Sequence, residues 1–237
     1  MIKPLWRLIK TKEKEGMKME KKLLTLLLSC CVSCSIISTG TVSAEESTQT
    51  LTETETEVET ETEQPVSIDN FRGYKWGTSM DDIVADEIKN DMVDGVDYFF
   101  DDNMLVFTNG SVAGYDTLIV YEFDKSGKLI YGSYSLTEEH SNKTDYYDDF
   151  CDLAELYTEK YGQPISDKVD WKDDLYKDDP SDWGMAISVG HVKFYKIWED
   201  PDGNYIGMTL SGDNYKIYTS ILYGYAGYQA EKNMEGI

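Results

Sequence analysis

Residues 116–136, DTLIVYEFDKSGKLIYGSYSL, decide how this chain folds. Two apolar-rich runs, 116–123 and 128–136, flank Asp124-Lys125-Ser126-Gly127, and Gly127 is free to take the positive φ that a tight turn requires. In the first run Ile119, Tyr121 and Phe123 share one side, while Leu118 and Val120 share the other. So short a connection reverses the chain and leaves no room for a parallel crossover. The sheet is therefore expected to be antiparallel.

The flanking sequence extends this pattern. Upstream, 96–100 and 104–108 are strand-like, with the turn-forming Asp101-Asp102-Asn103 between them. Before these, Thr78 and Ser79 each begin a capping pattern, and Met80, Ile83, Val84 and Ile88 share one helical face. Downstream, the spacing predicts a helix over 145–161. Its core stripe is Tyr147, Phe150, Cys151, Ala154, Tyr157 and Tyr161, and Gly162 and Pro164 end it. Strands are then expected over 184–189, 192–198, 205–210 and 215–223. Pro201-Asp202-Gly203-Asn204 and Ser211-Gly212-Asp213-Asn214 supply turns between the last three. The expected class is α+β, with two tandem helix-plus-antiparallel-sheet units, about 71–136 and 142–225, and helices covering one face of the sheet. The opposite face should be rich in Tyr and charged residues.

Of 237 residues, 22 are basic and 45 acidic, giving a net charge of -23. Such a balance disfavours nucleic-acid binding and electrostatic docking on an anionic membrane, both of which need clustered Lys and Arg. The charge is unevenly spread. Residues 1–44 carry a net +5, 45–66 a net -8, and 67–237 a net -20. All 18 Tyr, all 7 Phe and four of the 5 Trp lie in 67–237, which therefore owns the material for a core.

Residues 1–44 read as an export signal. Lys21 and Lys22 precede an apolar stretch from Leu23 to Ile37, too short for a comfortable membrane span, and Val42-Ser43-Ala44 offers a cleavage site. The true start is expected at Met19, because Lys14-Glu15-Gly16 is encodable as a purine-rich ribosome-binding sequence. Cleavage after Ala44 competes with a lipobox, Leu27-Leu28-Ser29-Cys30, which would leave a lipid anchor on Cys30. On either route the protein is secreted or held at the cell surface, with no membrane span in the mature chain. Residues 45–66, a run of alternating Thr and Glu, have little to bury and repel themselves, so a disordered acidic linker is expected. A single α+β domain, 67–228, and a tail, 229–237, complete the division. Cys30, Cys31 and Cys34 fall in the export segment, so cleavage after Ala44 leaves Cys151 as the one thiol and no internal disulfide.

Two short motifs carry a resemblance. Phe71-Arg72-Gly73-Tyr74-Lys75-Trp76-Gly77-Thr78-Ser79, followed by Asp82-Ile83, resembles the opening of poorly characterised exported proteins of Gram-positive bacteria. Tyr157-Thr158-Glu159-Lys160-Tyr161-Gly162-Gln163-Pro164 is similar to the end of their second helix. The layout resembles the β-lactamase-inhibitory-protein-like fold, shared by small outer-membrane assembly lipoproteins. That resemblance implies tandem helix-plus-sheet repeats that bind other proteins. Neither motif carries chemistry, so it transfers no functional residue.

With two histidines, His140 and His191, no His-Glu-x-x-His and no Cys pair in the domain, no zinc site is expected, and no cofactor either. Gly-x-Ser-x-Gly and both glycine-rich nucleotide loops are missing. The acidic stretches 91–95 and 200–204 lack the ligand ladder of a calcium loop, although acids abound. One catalytic pairing has to be weighed: Cys151 near a helix start and His191 at a strand start, the order found in Cys–His cell-wall peptidases. Against it, Cys151 sits on the apolar stripe, and Asp152-Leu153 stands where that family has Ser-Gly. The favoured function is an exported binding module without catalysis, its partner an unknown protein or a cell-wall glycan, and the Cys–His hydrolase is the alternative. The candidate binding residues are Tyr121, Tyr131, Tyr195, Trp198 and Tyr218, because Tyr and Trp give large contact area at low entropic cost. The charge of 67–237 favours a cationic or sugar-bearing partner.

Overall fold

The computed structural model describes residues 66–89, 98–101 and 103–227. In chain order they form β1 (Asn70–Phe71), β2 (Tyr74–Lys75), α1 (Met80–Lys89), β3 (Tyr98–Asp101), β4 (Met104–Val112), β5 (Tyr115–Phe123) and β6 (Leu129–Leu136). There follow α2 (Asp145–Tyr161), β7 (Ser166–Trp171), α3 (Trp183–Ser188), β8 (Val192–Glu199), β9 (Tyr205–Asp213) and β10 (Lys216–Gly224). The export segment 1–44, the linker up to residue 65 and the tail 229–237 lie outside the described residues.

Turn chemistry sets the sheet. Pairs of positive φ, at Arg72 and Gly73, Ala113 and Gly114, and Asn214 and Tyr215, reverse the chain between β1 and β2, β4 and β5, and β9 and β10. Such pairs match the twist of antiparallel strands. At the β5–β6 turn, Asp124 Oδ1 accepts the backbone N–H groups of Ser126 and Lys128, each at 2.8 Å. The large sheet has eight strands in the order β3-β4-β5-β6-β10-β9-β8-β7, and all neighbours pair antiparallel. The protein is therefore α+β with an antiparallel sheet, as its hairpin signals require. The central pairing joins β6 to β10, from Ser135↔Ser220 to Tyr131↔Gly224.

One expected strand is a helix. Residues 184–189 fall largely in α3, because Asp179 caps a short 3-10 turn with Pro180 in its first position, and this turn leads straight into Trp183–Ser188. Gly184 lets α3 approach the segment before α2, since a Cβ there would lie 2.5 Å from the Lys143 carbonyl carbon. The fourth strand of the second half is instead β7. It forms the sheet edge beyond β8, and its middle residues Asp167, Lys168, Val169 and Asp170 are all exposed.

The three helices bury their inner faces on the same side of the sheet. Ile83 and Val84 of α1, Phe150, Leu153, Ala154 and Tyr157 of α2, and Ala186 and Ile187 of α3 share one core with Leu105, Phe107, Ile119, Ile206, Met208 and Ile221 of the strands. Ser79 Oγ caps α1 by accepting the Asp82 N–H at 3.3 Å. Gly162, at φ 78°, ends α2 with its N–H on Thr158 O.

Phe71 enters the centre of this core from the small β1–β2 hairpin. Its ring lies 5.2, 5.0 and 5.2 Å from the rings of Tyr121, Tyr134 and Tyr223. It sits directly over Gly132 of β6. Beside it the buried Glu87 carboxylate accepts the Tyr121 hydroxyl and, at 3.3 Å, the Arg72 Nε–H. The Phe71–Trp76 motif is thus a plug for the sheet. A second polar clasp holds the two ends of the domain. Asp200 accepts the N–H groups of Ile68 (2.9 Å) and Asn204 (2.8 Å), and Asn204 Oδ1 accepts the N–H of Ala226 (3.1 Å). The Trp76 ring, in turn, stacks on Tyr225.

Candidate functional site

Strand alternation and the cross-strand register assign every residue to a face. On β8, Val192, Phe194 and Trp198 point to the helices, so Lys193, Tyr195 and Ile197 point away. On β5, Tyr121 points to the helices together with Ile119 and Phe123. The five candidate residues therefore split. Tyr131, Tyr195 and Tyr218 lie on the face away from the helices, and all three are half-buried. Tyr121 and Trp198 lie on the other face and are core residues, 0% and 1% exposed. These two are corrected: Tyr121 is engaged with Glu87, and the Trp198 indole donates to Gly162 O at 2.9 Å. The parity was decisive, because Tyr195 and Trp198 stand three apart in one strand and cannot share a face.

Among the described residues no helix covers this face, and its layout is regular. Tyr131, Gly224 and Tyr205 follow one another across β6, β10 and β9. Gly224 is required there, since a Cβ would lie 2.3 Å from the Tyr205 ring. A second row runs Leu118, Ser135, Ser220, Thr209, Tyr195 across β5, β6, β10, β9 and β8. In its middle Thr209 Oγ1 and Ser220 Oγ are hydrogen bonded at 2.8 Å. Between the rows lie Ser133, Leu222, Gly207 and Ile197, and Tyr218 stands beside Ser211 at the far end of β10. The centre of the face thus mixes small side chains with Leu222 and Ile197, with tyrosines at both ends. Tyr205 was missed in the sequence, although it alternates with Ile206 and Met208 and so had to point away from the core.

No hydrogen bond or ion pair joins Cys151 to His191 among the described residues, and their neighbours differ. Cys151 lies on α2 next to Tyr147, with Lys196 of β8 nearby, whereas His191 precedes β8 and stacks on Tyr176 at 5.7 Å. Asp173 lies 3.8 Å from His191 Nδ1. Burial pushes the Cys151 thiol above its ordinary value, and hydrogen bonding with Tyr147 only partly offsets it. A nucleophilic thiol needs the opposite shift. Alkylation by iodoacetamide at pH 8 is expected to be at least about tenfold slower in the native protein than in urea. Equal rates in the two would contradict this packing.

A second cluster escaped sequence reasoning. Glu138 and His140, in the segment between β6 and α2, meet Asp149 of α2, and one ligand atom from each lies within 4.8 Å of the others. The only signal was Glu138-x-His140 shortly before an acidic helix start, too sparse to select among 34 acids in 67–237. No family model matches the chain, and no curated protein or solved structure does either. Among the described residues no helix is long and apolar enough to cross a membrane.

Proposed function

We propose that this chain is an exported, extracytoplasmic binding module without catalytic activity, and that its helix-free sheet face receives the partner. The observation that carries this is the placement of Tyr131, Tyr205, Tyr195 and Tyr218 around the small residues Ser133, Ser220, Thr209 and Gly207. Tyrosines hold a fixed geometry at little entropic cost, and Leu222 and Ile197 add apolar area among the small residues between them. The charge of the domain favours a cationic protein or a cell-wall glycan over a nucleic acid.

The architecture reads as two tandem units, α1 with β3–β6 and α2 with β7–β10, joined through their last strands. That layout supports the resemblance to the β-lactamase-inhibitory-protein-like fold, whose members use such sheets to bind other proteins. The acidic run 45–66 then serves as a spacer between the export segment or its anchor and the domain. The Cys–His hydrolase draws no support from the differently packed Cys151 and His191.

The test is co-sedimentation with purified cell-wall sacculi, and titration with a basic protein such as lysozyme as a cationic probe. The double substitution Tyr131→Ala with Tyr195→Ala is expected to weaken whichever binding is seen by at least about tenfold, the scale of aromatic anchors. Binding to neither probe, or unchanged binding by a folded double variant, would overturn this reading.

A further inference from the structure

We propose that Glu138, His140 and Asp149 form a site for a divalent transition-metal ion of the zinc class. This inference is independent of the tyrosine face. The donor set is one imidazole nitrogen and two carboxylate oxygens, all within 4.8 Å of one another. Zinc takes such ligands at about 2.0–2.2 Å, so tetrahedral coordination needs ligand atoms roughly 3.4 Å apart. Small side-chain shifts reach that spacing. A fourth position remains for water or for a group brought by a partner.

Three observations argue that the cluster is more than a patch of acids. First, it contains an imidazole placed beside both carboxylates: His140 Nε2 is hydrogen bonded to Asp149 Oδ2 at 2.5 Å, and a ligand atom of Glu138 lies within 4.8 Å of both. A metal ion would replace that hydrogen bond. Second, each ligand is held by a further residue, two of them from β5 and one from α2, as metal ligands commonly are. Glu138 Oε1 accepts the Asp116 N–H from β5 at 3.2 Å. The His140 N–H donates to the Tyr146 hydroxyl at 3.1 Å, and the two rings meet edge to face at 4.6 Å. Tyr115 of β5 is hydrogen bonded to Asp149. Third, two carboxylates converging in a domain of net charge -20 repel each other, and a cation between them removes that cost. The imidazole selects against calcium and magnesium, which take oxygen ligands, and toward zinc and its neighbours. Bound metal would tie the segment between β6 and α2 to the first turns of α2.

The test is calorimetric titration of the full-length chain with Zn²⁺ at pH 7, Cys30, Cys31 and Cys34 being replaced by Ser throughout so that their thiols take no metal, with the same protein followed in thermal melts. One ion per chain is expected to bind at this site, with a rise of several degrees in Tm. His140→Ala should weaken zinc binding at least about fiftyfold and abolish the Tm rise, while His191→Ala leaves both unchanged. Glu138→Gln, which keeps the shape of a half-buried side chain, should weaken binding about tenfold or more, and it decides the matter if His140→Ala does not fold. Co²⁺ should give the intense visible bands of a four-coordinate site only where all three ligands are intact. The proposal fails if zinc binds without saturating, if folded His140→Ala or Glu138→Gln keeps affinity within threefold, or if equimolar Ca²⁺ displaces the zinc.

Discussion

The substitution Gly132→Val is expected to remove most of the stability of the domain. A Cβ at this position would lie 2.1 Å from Cδ1 and 2.2 Å from Cγ of Phe71, well inside van der Waals contact. The ring cannot step aside easily. Tyr121, Tyr134 and Tyr223 surround it, and its backbone is paired in the β1–β2 hairpin. Neither can the strand, because Gly132 is paired with Tyr121 on one side and Tyr223 on the other. Overpacking a core costs about 1–3 kcal/mol where neighbours can adjust. With both partners fixed, Gly132→Ala should cost about 3 kcal/mol and Gly132→Val more, out of a typical total of about 5–15 kcal/mol. Urea unfolding followed by tyrosine and tryptophan fluorescence measures this. Combining Gly132→Ala with Phe71→Leu should recover about 1 kcal/mol or more of coupling. Strict additivity of the two substitutions would mean that Phe71 does not rest on Gly132.

Alkaline pH should have an effect of similar size. Burial raises the phenols of Tyr121, Tyr157 and Tyr223 above their ordinary value of 10.0, with the neighbouring Glu87 charge adding at Tyr121 and the Tyr157 hydroxyl adding at Tyr223. A raised value in the folded state means that the fold holds the proton. Below pH 10 both states are protonated and the contribution to stability is complete. Above it the unfolded chain releases protons that the folded chain keeps, so stability falls as pH climbs. Tyr157 and Tyr223 share one hydrogen bond, yet each keeps its own proton in the folded state. The three phenols then give about 4 kcal/mol lost per pH unit, at about 1.4 kcal/mol for each group. Urea midpoints between pH 9 and 11.5 should drop accordingly, and Tyr121→Phe should flatten the slope by about a third. A midpoint independent of pH across that window would show that these phenols titrate freely in the native state.

Much of the fold was legible because it rests on local signals. The 116–136 hairpin announces itself through Asp124 and Gly127, and α2 through its apolar stripe and the Gly162 stop. What escaped depends on tertiary context. The residues of β7, Ser166–Trp171, show no apolar alternation, because an edge strand with an exposed middle need not have one. Gly184–Val189 alternates like a strand, but all of it except Val189 is wound into α3 by the Asp179–Pro180 start signal, which the apolar run that follows masks. On the candidate face the difficulty was different. Both sides of β5 are apolar, with Leu118 and Val120 as buried as Ile119 and Tyr121, so composition could not say which side the helices take. The registers settle this through parity, removing Tyr121 and Trp198 and adding Tyr205. The Glu138–His140–Asp149 cluster depends on how the segment before α2 folds back, which no local pattern encodes.

The clasp at Asp200 has a mechanical consequence. Because Ile68 and Ala226 are fastened to the same β8–β9 turn, the polypeptide enters and leaves the domain at one corner. Tension applied between those two points would load the clasp bonds one after another, peeling them apart like a zipper, rather than shearing whole strands past each other. A tethered copy of this protein would therefore let go at its base under modest pull, while the opposite corner kept its shape.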